Sequence, residues 1–335
     1  EQARDAWVMY LTVATRKREG DGGSSDGVNS LSSDNILTVD DPTEEFLHKS
    51  SMWNGKQRRI LNCKSFCFRA GQPHDATAAI ENALARGLSI TDEATTVEES
   101  QLLRLFLESA SILKNVDVDS LGEKERMSFF LNLYHVMIMH AFLVLGAPDS
   151  SFKWISYFNA ISYQCSDDIF SIAELEHNVI RAATTYPSQF FSKLVLPKSR
   201  FSFALTKGDY RINFCLNSGS CSNLPYVPIY RPSTLEQQLN ESARRHLQST
   251  ARVTNKRQSS VVVTLPKICQ WFADDFGNGS NTQVLRRVQK YMTQEQQDIL
   301  ESCWSEREQR YSNVAIKYAP FSFECRNLAP LPASS

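Results

Sequence analysis

The sequence predicts an α+β fold: a mostly helical body around a long buried helix over about residues 122–146, with a small, mainly antiparallel sheet. Three observations lead there. Four capping boxes, Ser120-Leu-Gly-Glu123, Ser171-Ile-Ala-Glu174, Ser233-Thr-Leu-Glu236 and Thr293-Gln-Glu-Gln296, stand ahead of apolar runs with helical spacing. Such a box satisfies backbone N–H groups that a helix start leaves open. The most apolar stretch, residues 129–146, has the length and composition of a core helix. Short β-favouring segments at 160–165, 201–205, 210–216, 259–264 and 313–318 are separated by turn chemistry in Asp167-Asp168 and Lys207-Gly208-Asp209. Helices outnumber strands and do not strictly alternate with them, which separates this pattern from a doubly wound parallel sheet.

Taken in order, residues 1–19 read as a short helix, with Trp7, Tyr10, Leu11 and Ala14 on one face and Arg16, Lys17 and Arg18 at its negative end. Residues 20–45, rich in Gly, Ser and Asp, read as a flexible linker. Residues 46–99 read as an extension packing on the main domain, within which Asp75 caps a helix that Gly87 stops. The main domain is expected over 100–325, beginning with helical spacing at 96–114, and residues 326–335 form a tail. The long apolar run could cross a bilayer by length. It carries Asn132, Tyr134, His135 and His140, however, and these polar groups are costly in hydrocarbon, so it reads as a buried core helix.

Composition narrows the function. Among 335 residues, 36 Lys and Arg face 37 Asp and Glu, a formal charge of −1 that argues against a nucleic-acid binder. The 42% hydrophobic content is enough to bury a sizeable core. The eight cysteines form no C-x-x-C, and no histidine pair completes a zinc-finger spacing, so reduced thiols and a cytoplasmic location are expected. The chain begins at Glu1, which leaves a leader or anchor open. His135 and His140 lie five apart, on different helix faces, and no metal or cofactor is expected. There is no P-loop, G-x-G-x-x-G or G-x-S-x-G. Basic residues gather at Arg244, Arg245, Arg286 and Arg287. They read as solvated helix faces, with peripheral contact to anionic lipid or an acidic surface as a weaker alternative.

Five ordered blocks carry a family resemblance. They are Glu125-Arg-Met-Ser-Phe-Phe-Leu-Asn-Leu-Tyr134 with Met139-His140, Ile172-Ala-Glu-Leu-Glu-His177 with Ile180-Arg181, Tyr210-Arg-Ile-Asn-Phe-Cys-Leu-Asn-Ser-Gly219, Leu265-Pro-Lys-Ile-Cys-Gln-Trp-Phe-Ala-Asp-Asp-Phe276 and Ile316-Lys-Tyr-Ala-Pro-Phe-Ser-Phe323. Together they resemble the domain-of-unknown-function family numbered 547, over about residues 100–325. In the family pattern the third block bears a histidine and then a cysteine, which raises thiol chemistry of the papain type. This chain has Asn213 and Asn223 at those positions, and Ser322 where the fifth block carries aspartate.

Two functional readings follow. The preferred one is a non-catalytic protein-interaction or scaffold domain with an unidentified protein partner, in which Asn132, His140, Asn213, Asn223 and Ser322 line a cleft or satisfy buried hydrogen bonds. The alternative is a thiol hydrolase or transferase in which Cys221, two residues from the family cysteine, is the nucleophile. His177 would then be the base, with Glu176 or Asn132 orienting it.

Overall fold

A computed structural model of the chain describes residues 59–63, 75–90, 97–148, 151–166, 168–184, 201–256, 260–277 and 279–332. The expected helix over 1–19 and linker over 20–45 lie outside the described residues, as does most of the segment up to Asp75.

Helix α1 (Ala76–Leu88) opens as expected, with Asp75 Oδ1 accepting from Ala78 N at 2.9 Å. Gly87 does not stop it. The residue lies inside the helix, and a Cβ there would come within 2.1 Å of Met139 Cε and 3.0 Å of the Phe106 ring. The glycine serves close packing of α1 against α2 (Val97–Ile112) and α3 (Glu123–Leu145).

Helix α3 is the long central helix, and every residue from 127 to 142 is buried. It is apolar enough to cross a membrane, yet the domain's own side chains wrap most of it. Its start departs from the expected box by register. Gly122 N donates to Glu125 Oε2 at 2.7 Å, while Glu123 Oε1 instead accepts from Thr206 N (3.0 Å) and Lys207 N (3.1 Å), tying in the 201–209 loop.

Beyond α4 (Ser151–Ala160), β2 (Ile161–Cys165) and β3 (Asp168–Ser171) form an antiparallel hairpin, and β1 (Arg59–Ile60) adds to β2 in parallel. The Ser171 box forms as read, with Glu174 N donating to Ser171 Oγ and Ser171 N to Glu174 Oε2. Helix α5 (Ile172–Glu174) then widens into a π-helical turn over Leu175–Ile180.

Two expected strands are not strands. Residues 201–205 form turns, because Phe201 and Phe203 satisfy their alternating pattern by stacking with each other and with Phe130 and Phe170 rather than by joining a ladder. Residues 210–216 begin as a 3₁₀ turn (Tyr210–Phe214), because Asp209 Oδ1 accepts from Arg211 N at 2.8 Å and caps it.

The remainder runs β4 (Tyr226–Val227), α6 (Leu235–Thr250), β5 (Arg252–Lys256), β6 (Ser260–Leu265), α7 (Ile268–Trp271), α8 (Asn281–Val288), α9 (Gln294–Ser302), β7 (Trp304–Ser305), β8 (Arg310–Tyr311), β9 (Val314–Tyr318) and β10 (Ala329–Pro330). The Thr293 box caps α9, whereas the Ser233 box does not form: Thr234 is the N-cap of α6 and makes no side-chain bond.

The fold class is therefore α+β around a buried long helix. Strand pairing differs in detail from the single, mainly antiparallel sheet. Among the described residues it is divided into small sheets of mixed direction, β5-β6-β9 having an antiparallel and a parallel pair and β4-β10 being parallel. Parallel pairing of β6 with β9 needs a long crossover, and α7 to α9 supply it. One core surrounds α3, and a second lies between the β5-β6-β9 sheet and helices α6 and α8.

Candidate functional site

Four of the five sequence blocks meet in a buried polar hub. Arg181, at the end of the π turn, is its centre, with a side chain only 3% exposed. Arg181 Nε donates to Glu176 Oε1 at 3.1 Å, and Nη1 donates to Asn213 Oδ1 at 2.6 Å and lies 3.7 Å from Asp275 Oδ2. Tyr134 Oη donates to Glu176 Oε2 (3.1 Å), Asn213 Nδ2 donates to Asp275 Oδ2 (3.1 Å), and the guanidinium sits 3.8 Å over the Phe272 ring.

The π turn makes this possible. Glu176 and Arg181 are five apart, a spacing that α-helical geometry puts on different faces. Here Arg181 N donates to Glu176 O at 2.9 Å, one residue wider than an α-helical bond, which brings both side chains to the same side.

The electrostatics fix charges in place. Burial pushes the Glu176 carboxyl up, but His177, Arg181 and the Tyr134 hydrogen bond outweigh it and hold the group below the usual carboxylate range. Burial and the Glu176 charge push the Tyr134 phenol well up. Burial pushes His177 down despite the adjacent carboxylate. Three buried polar atoms here have no hydrogen-bond partner: Arg181 Nη2, His177 Nδ1 and Asn178 Oδ1.

Cys221 is elsewhere. It is exposed, in a shallow cleft with Pro148, Ser322, Phe323, Glu324 and Cys325, and among the described residues no histidine lines that cleft. Cys221 N donates to Glu324 O at 2.8 Å, Ser322 N to Ser222 Oγ at 2.7 Å, and Arg326 Nη2 donates to the carbonyls of Cys221 and Asn223. The structure thus brings Glu176, His177 and Asn213 to one hub and Cys221, Asn223 and Ser322 to another loop. Among the described residues, His177 is not one of those lining the Cys221 cleft.

The remaining candidates hold the framework. Asn132 clamps Tyr230, donating through Nδ2 to its carbonyl and accepting its N–H through Oδ1, both at 2.8 Å. His140 Nδ1 meets Tyr163 Oη at 2.5 Å. Arg244 and Arg245 both pair with Glu241; Arg286 pairs with Glu301 and covers Trp304, and Arg287 lies over Tyr210. Among the described residues no group of three or more His, Cys, Asp or Glu gathers for a metal ion.

Two features escaped the sequence reading. Arg181 and Asp275 were not singled out as site residues, although both stand in family blocks; the i, i+5 spacing of Glu176 and Arg181 carries no α-helical signal. The second is a cleft of about 320 Å³ between α6 and the Tyr226–Tyr230 segment, floored by Phe214, Leu216 and Tyr230. The Cys215 thiol lies against it, pushed up to about 12 by burial and so held neutral. Composition gives no signal for such a groove.

An α+β domain with a buried arginine–carboxylate hub is the class that these features define. Residues 118–247 match the model of the family described as protein of unknown function, DUF547. No curated protein and no solved structure matches the chain. The match spans the first three blocks and stops before Asp275, which the fold nonetheless brings to the hub.

Proposed function

We propose that this domain is a non-catalytic protein-interaction module of the cytoplasm. One observation carries the reading: a thiol hydrolase would need a base within hydrogen-bond reach or one water of its thiol, and among the described residues no histidine lines the cleft that holds Cys221. Glu176 is already engaged by Tyr134 and Arg181, leaving it no free role as an orienting carboxylate for a base. The basic side chains that could have formed a surface for anionic lipid are largely taken up in ion pairs and ring contacts.

The test is the iodoacetamide alkylation rate of Cys221 against pH, read by peptide mass spectrometry, in the full chain and in His177→Gln. Rates that agree within about twofold across pH 6–8 are expected, since a thiol is activated only by a nearby base or positive charge. A rate in the full chain that is high below pH 7 and falls at least about tenfold in the variant would overturn the reading.

A further inference from the structure

The cleft between α6 and the Tyr226–Tyr230 segment combines three observations. Its lining is largely apolar and uncharged, and its one ion pair, Arg245 with Glu241, is internally satisfied at 2.7 Å. His246 lies on it, 5% exposed, with its ring 5.5 Å from that of Phe214 and Nε2 without a partner. Burial pushes this imidazole down to about 4, so it stands neutral beside the cleft.

The third observation is that part of the cleft edge is the chain's own tail. Residues 326–332 run past the family loop, and Ala329 and Pro330 pair in parallel with Tyr226 and Val227. Ala329 N donates to Pro225 O at 2.8 Å, Leu328 is buried in the main core, and Leu331 lines the cleft. This attachment is short: the ladder has two residue pairs, and Pro330 has no N–H to give it.

Resting on the protein-interaction reading, we propose that the cleft receives an extended apolar segment of a partner protein, of the Leu-x-Pro-Leu-Pro kind found in residues 328–332, and that the chain's own tail is its resident competitor. The chemistry is strand addition. Backbone hydrogen bonds to the Tyr226–Val227 strand supply generic affinity, and apolar side chains entering the cleft supply selectivity. The lining has no excess charge with which to select an anion, and the resident segment displays the mode.

The experiment uses a fluorescein-labelled peptide of residues 326–332 and the full-length chain, read by fluorescence anisotropy, with hydrogen exchange of the tail as a second readout. In the Leu331→Asp variant the resident tail competes less, so the peptide is expected to bind at least about tenfold tighter than to the unaltered chain, because apparent affinity scales with the fraction of open sites. Ser242→Trp, which fills the cleft, is expected to abolish binding. Unlabelled peptide is expected to speed exchange of the Ala329 amide in the unaltered chain. Unchanged melting temperatures show that both variants fold; Gln237→Trp, at an exposed position on the cleft, replaces Ser242→Trp if that protein melts early.

Equal or absent binding to the unaltered and Leu331→Asp chains overturns the proposal, as does binding that survives the filled cleft. If an apolar dye binds and is excluded by Ser242→Trp while the peptide does not bind, the site takes small molecules and the proposal falls. None of these outcomes alters Cys221 alkylation, so failure here leaves the non-catalytic reading standing, and an activated thiol would overturn that reading alone.

Discussion

The hub around Arg181 and the loop around Cys221 are both built from family blocks, yet they treat polar chemistry in opposite ways. At the hub a cation and two carboxylates are taken out of water and must satisfy one another, and the side chains of Arg181 and Asp275 are 3% and 2% exposed. At the loop a thiol stands in water, held by backbone bonds that would fit almost any side chain. A buried charge is costly unless paired, so each hub residue is fixed by the others, whereas the loop residue is fixed by nothing chemical. The asparagines and serine singled out in the sequence fall on both sides. Asn213 bridges Arg181 and Asp275 in the hub, while Asn223 and Ser322 stand at the loop. Polar connectivity is dense where burial demands it and sparse where water is near.

The largest expected effect comes from acid, which acts on the interior and spares the loop. Burial pushes His135 and His140 down to about 3 and His246 to about 4, against about 6.5 in an unfolded chain. The folded pKa values are depressed, so on acidification the unfolded chain takes up protons that the folded one refuses. The stability from these neutral rings is whole above about pH 6.5 and is lost as pH falls towards their folded values. At about 1.4 kcal/mol per proton per pH unit, three rings give a loss of about 4 kcal/mol per unit between pH 6 and 4. The lowered Glu176 carboxyl adds to the loss, in the same direction, as pH falls through the carboxylate range. Urea midpoints measured across that range should fall steeply, with His246→Phe flattening the slope by about a third. A flat profile would mean that the interior is wet and the contrast with the loop false.

Arg181→Met comes next. It leaves Asp275 buried, and Glu176 half-buried, without their cation, and removing one partner of a buried pair costs about 3–5 kcal/mol. Adding Asp275→Asn should return at least about 1 kcal/mol, since residues in one network couple. Denaturant midpoints of the two singles and the double give the coupling directly. Additive losses would show that Arg181 and Asp275 do not act as a pair.

How much of this was readable beforehand depends on range. The α3 helix was legible because sixteen successive positions are buried and the run is accordingly apolar throughout. The Ser171 and Thr293 boxes were legible because they are strictly local. The Ser120 box was off by register, because Glu123 had a better use 83 residues away, at Thr206. Residues 201–205 have a strand's alternation without a strand partner, since four phenylalanine rings absorb it. For the site, the blocks gave the residues but not their assembly. In the thiol-enzyme alternative Glu176 or Asn132 orients a His177 base, whereas the π turn hands Glu176 to Arg181.

The smallest effect sharpens the comparison most. Cys221→Ala removes an exposed sulfur whose backbone bonds, to Glu324 O and from Arg326, do not involve the side chain. The change should therefore alter stability by less than about 0.5 kcal/mol, the range of surface substitutions away from structural features. Arg181→Met, in the other family site, should cost several times more. A Cys221→Ala loss of about 2 kcal/mol or more would require the thiol to be packed as a buried group, and the two sites would then no longer stand at opposite extremes. Equilibrium denaturation of the two variants under one set of conditions decides between these outcomes, because the difference of their midpoints reads the contrast without an absolute stability scale.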